Sequence, residues 1–222
     1  MEKKKILIKS GSALILISGV TVFMMLLNGV QTEEAMWLDT TLQRFFYKAH
    51  GTFFEEFFAI ITELGSAKVI GIGSLLLLLW IWIRRKDYAG IAIIVLGIAG
   101  GDQLNNLLKE FVARERPNIN PAVDAEGFSF PSGHAMVGII FYVLLAFFIS
   151  KYVKSITVKR SIWSLAIFLV LLIGISRIVV QAHYPSDVVG GYAIGSVCII
   201  ICLYIYWMTQ HPLLKVNRRN SK

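Results

Sequence analysis

Apolar residues in this chain come in long runs separated by short clusters of charge, and the runs dominate its pattern. Six of them approach the roughly 20 apolar residues that carry an α-helix across a hydrocarbon core about 30 Å thick. They cover approximately Gly11–Leu27, Ser66–Ile83, Tyr88–Leu108, Ala135–Ser150, Ser161–Val180 and Asp187–Met208. Pro117, Pro121, Pro131, Pro185 and Pro212 all fall outside the runs or at their edges. Uninterrupted helices require this, because an interior proline removes a backbone hydrogen bond. The pattern predicts an all-α, polytopic membrane helix bundle with six transmembrane helices. Residues 1–222 form a single domain on this reading, with a frayed tail from about residue 209.

The segment Val30–Ile61 has a different rhythm. Trp37, Leu38, Leu42, Phe45 and Phe46, then Phe53, Phe54, Phe57 and Phe58, recur at helical spacing among polar residues. This predicts an amphipathic outer segment lying in the interface, with one aromatic face. Anchoring is its plain role, and lining the entry route of a lipid substrate is its sharper one. Lys109–Phe130 carries Pro117, Asn118, Pro121 and Gly127 and is expected to be irregular, while Gln181–Ser186 is a very short connection.

Composition supports the membrane assignment: of 222 residues, 56% are hydrophobic and 16% charged, with mean hydropathy +0.66. Soluble domains carry about a quarter charged residues. The net charge of +8 is concentrated in small clusters between the runs. Lys3, Lys4, Lys5 and Lys9 precede the first; Arg84, Arg85 and Lys86 follow the second; Lys151, Lys154, Lys159 and Arg160 follow the fourth; Lys215, Arg218, Arg219 and Lys222 follow the last. An even number of spans puts all four clusters on one side, and the bias of cations toward the cytoplasm makes that side the inner one. The expected location is the plasma membrane, with both termini cytoplasmic. Glu33, Glu34, Asp39, Glu55, Glu56 and Glu63 occupy the opposite side. Cations divided among loops do not form a nucleic-acid-binding patch. No small-x-small cleavage pattern follows the first run, so it reads as an uncleaved span. Cys198 and Cys202, four apart in one span without histidine or acidic partners, read as packing thiols.

Three polar motifs interrupt this apolar background: Lys109-x6-Arg116-Pro117, Pro131-Ser132-Gly133-His134, and Ser176-Arg177-x5-His183-x3-Asp187. Following the alternating direction of the spans brings all three to the same outer face. Ser132 is suited to cap a helix and Gly133 lets backbone approach a ligand, so this turn can offer free N–H groups to an anion. Asp187, about one turn into a helix, can complement the helix N-terminus or accept a hydrogen bond from one ring nitrogen of His183, leaving the other to attack. Lys109, Arg116 and Arg177 each have an ordinary explanation as snorkelling cations. Arg177, among Ile173, Ile175, Ile178 and Val179, is the least comfortable in that role, because charge inside a span usually marks function. Asp102, Gln103, Asn105 and Asn106 suit interhelical hydrogen bonding, with Asp102 on the face of Lys109.

At their spacing, these motifs resemble those of the type-2 phosphatidic acid phosphatase superfamily, which includes lipid phosphate phosphatases, glucose-6-phosphatases and vanadium haloperoxidases. The six spans, the amphipathic segment and Phe128-Ser129-Phe130 are most similar to bacterial phosphatidylglycerophosphate phosphatase B-type enzymes. The resemblance implies that Lys109, Arg116 and Arg177 bind phosphate, with Ser132 and the N–H of Gly133 completing the cradle. It implies that His183 forms a phosphohistidine, that Asp187 holds it, and that His134 protonates the leaving oxygen. It further implies a phosphoric monoester hydrolase that uses no metal or other cofactor and acts on a lipid phosphate in the bilayer. Related enzymes of this layout act on undecaprenyl diphosphate. Two more distant alternatives are a vanadate-dependent haloperoxidase and a non-catalytic lipid transporter or binding protein.

Overall fold

The computed structural model describes residues 2–32, 36–48, 51–117 and 127–219, with side chains described at these positions except 2–10, 36, 38 and 211–219. Glu33, Glu34, Asn118, Pro121 and Lys222, and the side chains of Lys3, Lys4, Lys5, Lys9, Leu38, Lys215, Arg218 and Arg219, lie outside that description. The helices in chain order are α1 (Glu2–Gln31), α2 (Met36–Tyr47), α3 (Phe53–Thr62), α4 (Ala67–Arg84), α5 (Tyr88–Val112), α6 (Gly133–Lys151), α7 (Ile156–Val179) and α8 (Pro185–Arg219), with a 3₁₀ turn at Glu63–Gly65 before α4. Six of them are long and apolar enough to cross a membrane: α1, α4, α5, α6, α7 and α8. Helical backbone in α8 continues to Arg219, past the point near residue 209 where a frayed tail was expected.

α6 is the hub. It packs against α8, α7, α5 and α4, and 61% of its spanning window is buried, against 6% for α1, which packs on α8. Ile81 of α4, Ile94 of α5 and Met136, Ile140, Leu144 and Phe148 of α6 are fully enclosed in the largest apolar cluster, with Ile199 and Cys202 of α8 beside them. Association in a bilayer gains little from the hydrophobic effect and depends on close packing and polar contacts. A polar clamp at one end supplies such contacts: Asp87, before α5, accepts from Lys151 of α6 at 2.8 Å and from Tyr206 of α8 at 2.5 Å. Arg84 and Lys151 sit at this end, whereas Lys109, Ser132, Arg177 and Asp187 belong to the opposite helix ends.

The amphipathic segment between the first two spans forms two helices where one was expected. α2 stops at Tyr47, and Gly51 (φ +70°) and the N-cap Thr52, whose hydroxyl accepts from the Phe54 N–H, start α3 afresh. Trp37, Phe45, Phe53 and Phe54 are exposed, while Phe46 and Phe58 turn inward against α7 and the start of α8. The break gives two short helices, each with exposed aromatic side chains and with an inward side that mixes aromatic and polar residues, Phe46 and Asp39 on α2 and Phe58 and Thr62 on α3.

Candidate active site

Four helix ends build the site. α5 brings Lys109 in its last turn and α7 brings Arg177 in its last turn. α6 leaves from Ser132 and Gly133, and α8 starts at Pro185 with Asp187 in its first turn. Ala113 (φ 52°) ends α5 and Gln181 (φ 57°) follows α7. Left-handed backbone at these two positions breaks the helical path, so Arg114 and Arg116 return from one side and His183 from the other.

His183 is 2% exposed and its backbone N–H donates to the Arg177 carbonyl at 3.2 Å. Its Nε2 lies 3.1 Å from Arg116 Nη1. Arginine has only donors, so Nε2 must be the accepting nitrogen and the ring proton belongs on Nδ1. Nδ1 faces Ser129 Oγ at 3.3 Å and Asp187 Oδ2 at 3.5 Å. Ser129 in turn donates to Asp187 Oδ2 at 2.5 Å. Nδ1 therefore faces Ser129 and the Asp187 carboxylate side by side, the two being hydrogen-bonded to each other. Burial pushes the His183 pKa down to about 4; Asp187 opposes this, while Arg177 and Arg116 reinforce it. The ring is neutral at pH 7, with its lone pair on Nε2.

Asp187 is wholly enclosed. Besides Ser129, it accepts from the Tyr184 N–H at 2.9 Å and from Arg114 Nη1 at 2.5 Å. Arg114 was not singled out in the sequence. It also donates to Asp39 of α2 at 2.6 Å and to Ser186 Oγ at 2.7 Å, and it stacks on Tyr184 at 4.0 Å. Burial acts to lower its pKa, but Asp187 and Asp39 outweigh burial and raise it.

The cations and the helix start form the other wall. Arg116 is anchored by the carbonyls of Gly127 (2.8 Å) and Ala182 (2.9 Å). Arg177, 2% exposed, donates to Thr62 at the end of α3 at 2.8 Å. A Cβ on Gly133 would meet Asn105 Oδ1 at 3.0 Å and Lys109 Nζ at 3.9 Å, so the ammonium group stands beside the first turn of α6. Asn105 holds that turn by donating to the Pro131 carbonyl at 3.1 Å, which is the cross-element role foreseen for it. Asp102, Gln103 and Asn106 are exposed on α5 instead. Ser132 occupies the N-cap position, but its side chain makes no capping bond. Its buried hydroxyl has no hydrogen-bond partner among the described residues. A buried orphan hydroxyl beside a helix N-terminus is suited to an anion.

His134 lies in the first turn of α6, half-buried, within electrostatic reach of Arg177, His183, Lys109 and Arg116. It packs over Gly65: a Cβ there would come within 3.0 Å of the imidazole Cδ2 and 2.6 Å of Ile173. All eight residues expected from sequence thus belong to one cluster. Asp39, Thr62, Arg114 and the role of Ser129 were missed. The spacing Arg114-x-Arg116 was a usable signal for one of them, because alternate residues of an extended segment share a side. Asp39 and Thr62 lie on separate helices and carried no such mark.

The PAP2 superfamily model matches residues 88–211, which contain all three motifs. Phosphatidylglycerophosphatase B of Bacillus subtilis is 29% identical over 182 residues, covering 78% of this chain and 85% of that protein. Lipid A 4'-phosphatase of Bacteroides thetaiotaomicron is 30% identical over 180 residues, covering 72% of each. Among solved structures, the transmembrane PAP2-type phosphatidylglycerolphosphate phosphatase of Bacillus subtilis superposes with a TM-score of 0.78 at 26% identity, over 84% of this chain and 93% of that one. A six-span bundle with three motifs at one end, matched in both sequence and architecture, belongs to the PAP2 superfamily.

Proposed function

We propose that this chain removes the terminal phosphate from a phosphatidylglycerophosphate-like lipid at the outer face of the plasma membrane, through a phosphohistidine on His183. Superfamily membership, six helices long enough to cross a membrane and the likeness to lipid phosphatases support a membrane-embedded lipid phosphatase; the substrate, the intermediate and the membrane face are the finer reading. The observation that carries it is the state of one ring: Nε2 of His183 holds a lone pair and is met by a guanidinium, while Nδ1 is backed by Ser129 and Asp187.

Phosphoryl transfer asks mainly for positioning and for charge to stabilise three equatorial oxygens. Lys109, Arg116, Arg177, the Ser132 hydroxyl and the N–H of Gly133 supply the charge and donors without a metal. When phosphate arrives, Arg116 swings its donors from Nε2 onto a phosphoryl oxygen and frees the lone pair. Nε2 then bonds to phosphorus as the bond to the leaving oxygen breaks, and His134 gives that oxygen a proton. The positive charge on the phosphorylated ring is spread through Nδ1–H toward Asp187. Water, deprotonated by His134, attacks the same phosphorus, breaks the P–N bond and releases phosphate. The reaction needs His183 neutral and His134 protonated once the phosphate charge offsets Arg177, Lys109 and Arg116 around it, so turnover is expected to have a bell-shaped pH dependence.

The substrate class rests on a cavity of about 470 Å³ beside Arg116, bordered by Thr40, Gln43, Arg44, Gln181 and Tyr184. Its polar residues alternate with Tyr47, Pro117 and Ile178, a mixed wall that suits a hydroxylated headgroup carried on an apolar lipid. The similar curated protein and the similar solved structure, both of Bacillus subtilis, are named for action on phosphatidylglycerophosphate. The test is phosphate release by purified protein, with EDTA present, from phosphatidylglycerophosphate, phosphatidic acid and undecaprenyl diphosphate side by side. Fastest turnover of the first is expected, and preference for the diphosphate refutes the substrate assignment. His183→Ala must lose release from all three; retained turnover sinks the proposed nucleophile. Cysteine placed at exposed Glu115 should react with an impermeant maleimide in intact cells, and protection there refutes the outer location.

A further inference from the structure

One acidic side chain outside the three motifs is buried beside the site. Asp39 of α2 is 1% exposed, although its neighbour Trp37 is 71% exposed on the other side of the same short helix. α2 thus turns an aromatic face away from the protein and a carboxylate into it. That carboxylate accepts three hydrogen bonds: from Arg114 Nη2 at 2.6 Å, from the Ser186 backbone N–H at 2.9 Å and from Ser186 Oγ at 2.8 Å. The Ser186 N–H is one of the donors left over at the start of α8, so a residue of α2 caps α8 from outside. The other end of the same guanidinium, Nη1, holds Asp187 Oδ1.

The linkage is continuous and short. Asp39 fixes one end of Arg114, Arg114 fixes one oxygen of Asp187, and the other oxygen of Asp187 receives Ser129, the partner of His183 Nδ1. Burying such charges is costly, and an enclosed ion cluster is weak evidence for stability, since apolar packing does that work as well. The planar fork of Arg114 instead imposes geometry: two carboxylates on separate helices must take up a fixed relation to it.

We propose that Asp39 and Arg114 are positioning residues of the reaction, by which the interfacial helix α2 sets Asp187 against His183. On this view α2 is part of the active site's framework as well as a membrane anchor. The inference rests on the reading of His183 and Asp187 as the attacking and orienting groups. Neither Asp39 nor Arg114 touches the reacting atoms, so their loss acts on kcat and leaves KM nearly unchanged.

The experiment is a mutant cycle on phosphate release from phosphatidylglycerophosphate, with thermal unfolding in detergent measured on every protein. Asp39→Asn keeps the shape and removes the charge. Arg114→Lys keeps the charge but cannot span two carboxylates. Misplacing a reacting group by about 1 Å costs on the order of 10²-fold in rate. Each substitution is therefore expected to lower kcat by roughly 10- to 100-fold, with KM within about threefold. In an Asp187→Asn background, where the orienting charge is already gone, each should change kcat by less than about twofold, because effects passed through one residue are not additive. Asp39→Glu should recover part of the loss. Equal effects in both backgrounds, or a loss confined to KM, overturn the proposal. If Asp39→Asn does not fold, the Arg114→Lys pair decides on the same criteria. A His183→Ala protein that still releases phosphate condemns His183 as the attacking group, the reading on which the proposal rests; an inactive His183→Ala with additive Asp39 and Arg114 effects condemns only the positioning role.

Discussion

Replacing Asp187 with asparagine separates two effects that the site combines. Asparagine keeps the shape and an accepting oxygen but withdraws the negative charge 3.5 Å behind Nδ1. On the proposed mechanism, that charge matters most when His183 becomes cationic on phosphorylation. At an effective dielectric constant of about 20, unit charges at that separation attract by about 5 kcal/mol. Arg114, on the other carboxylate oxygen, draws off part of it. Asp39 on the far side of Arg114 leaves this trio with one net negative charge, so the attraction survives. A fall in kcat of roughly 10²- to 10³-fold is expected, at about 1.4 kcal/mol per tenfold change. Protonation cannot account for the loss at pH 7, because a ring with a pKa of about 4 is already neutral there. The sign of the pH effect is an independent check. Asp187 holds the His183 pKa up against burial, so its loss moves the acid limb of kcat/KM to lower pH. The assay is phosphate release from short-chain phosphatidylglycerophosphate in micelles between pH 3 and 9; the substrate's own ionisation is common to both proteins. An Asp187→Asn enzyme within threefold of the parent, or an acid limb displaced upward, refutes the assigned role.

His134→Ala should lose about 10²- to 10⁴-fold on a lipid alkoxide leaving group but far less on an aryl phosphate, whose leaving oxygen needs no proton; equal losses on both rule out a general acid. Gly65→Ala sets a methyl 2.6 Å from Ile173 and 3.0 Å from His134. Overpacking of this kind costs about 1–3 kcal/mol and should lower kcat with KM little changed, so an unaltered kcat shows that His134 tolerates displacement. At the other end of the bundle, Asp87→Asn should reduce thermal stability by about 1–2 kcal/mol without changing turnover per folded protein. Burial acts to raise the Asp87 pKa, but hydrogen bonds from Lys151, Tyr206 and the Gly90 N–H outweigh it and hold it below the ordinary value. Its stabilisation is therefore present above the unfolded-state pKa of about 3.9 and lost as pH falls through the depressed one. A stability gap that widens as pH falls below the unfolded-state pKa contradicts this.

Much of the site was legible because membrane spans impose order on a chain. Once helices alternate in direction, residues at alternate helix ends share a side, and Lys109, Ser132, Arg177 and Asp187 could be assigned to one end before any coordinate was known. The order of the His183 contacts was not legible in the same way. Three atoms of Ser129, Asp187 and Arg116 compete for two ring nitrogens, and only their distances show that Ser129 shares Nδ1 with Asp187 while Arg116 meets Nε2. The capping role expected of Ser132 failed for a related reason: its position was right, but its hydroxyl is aimed elsewhere.

The linear order of residues determined the number of spans, their alternation and the three motifs, because each depends on local length, hydropathy or spacing. Tertiary structure alone decided which remote side chains complete the site. Asp39 lies 148 positions before Asp187 in the chain, and Thr62 reaches Arg177 across 115 positions. No short-range period encodes such pairs; they meet because the break between α2 and α3 folds two interfacial helices over the rim of the bundle, and because a buried carboxylate or hydroxyl must find its partner there or go without.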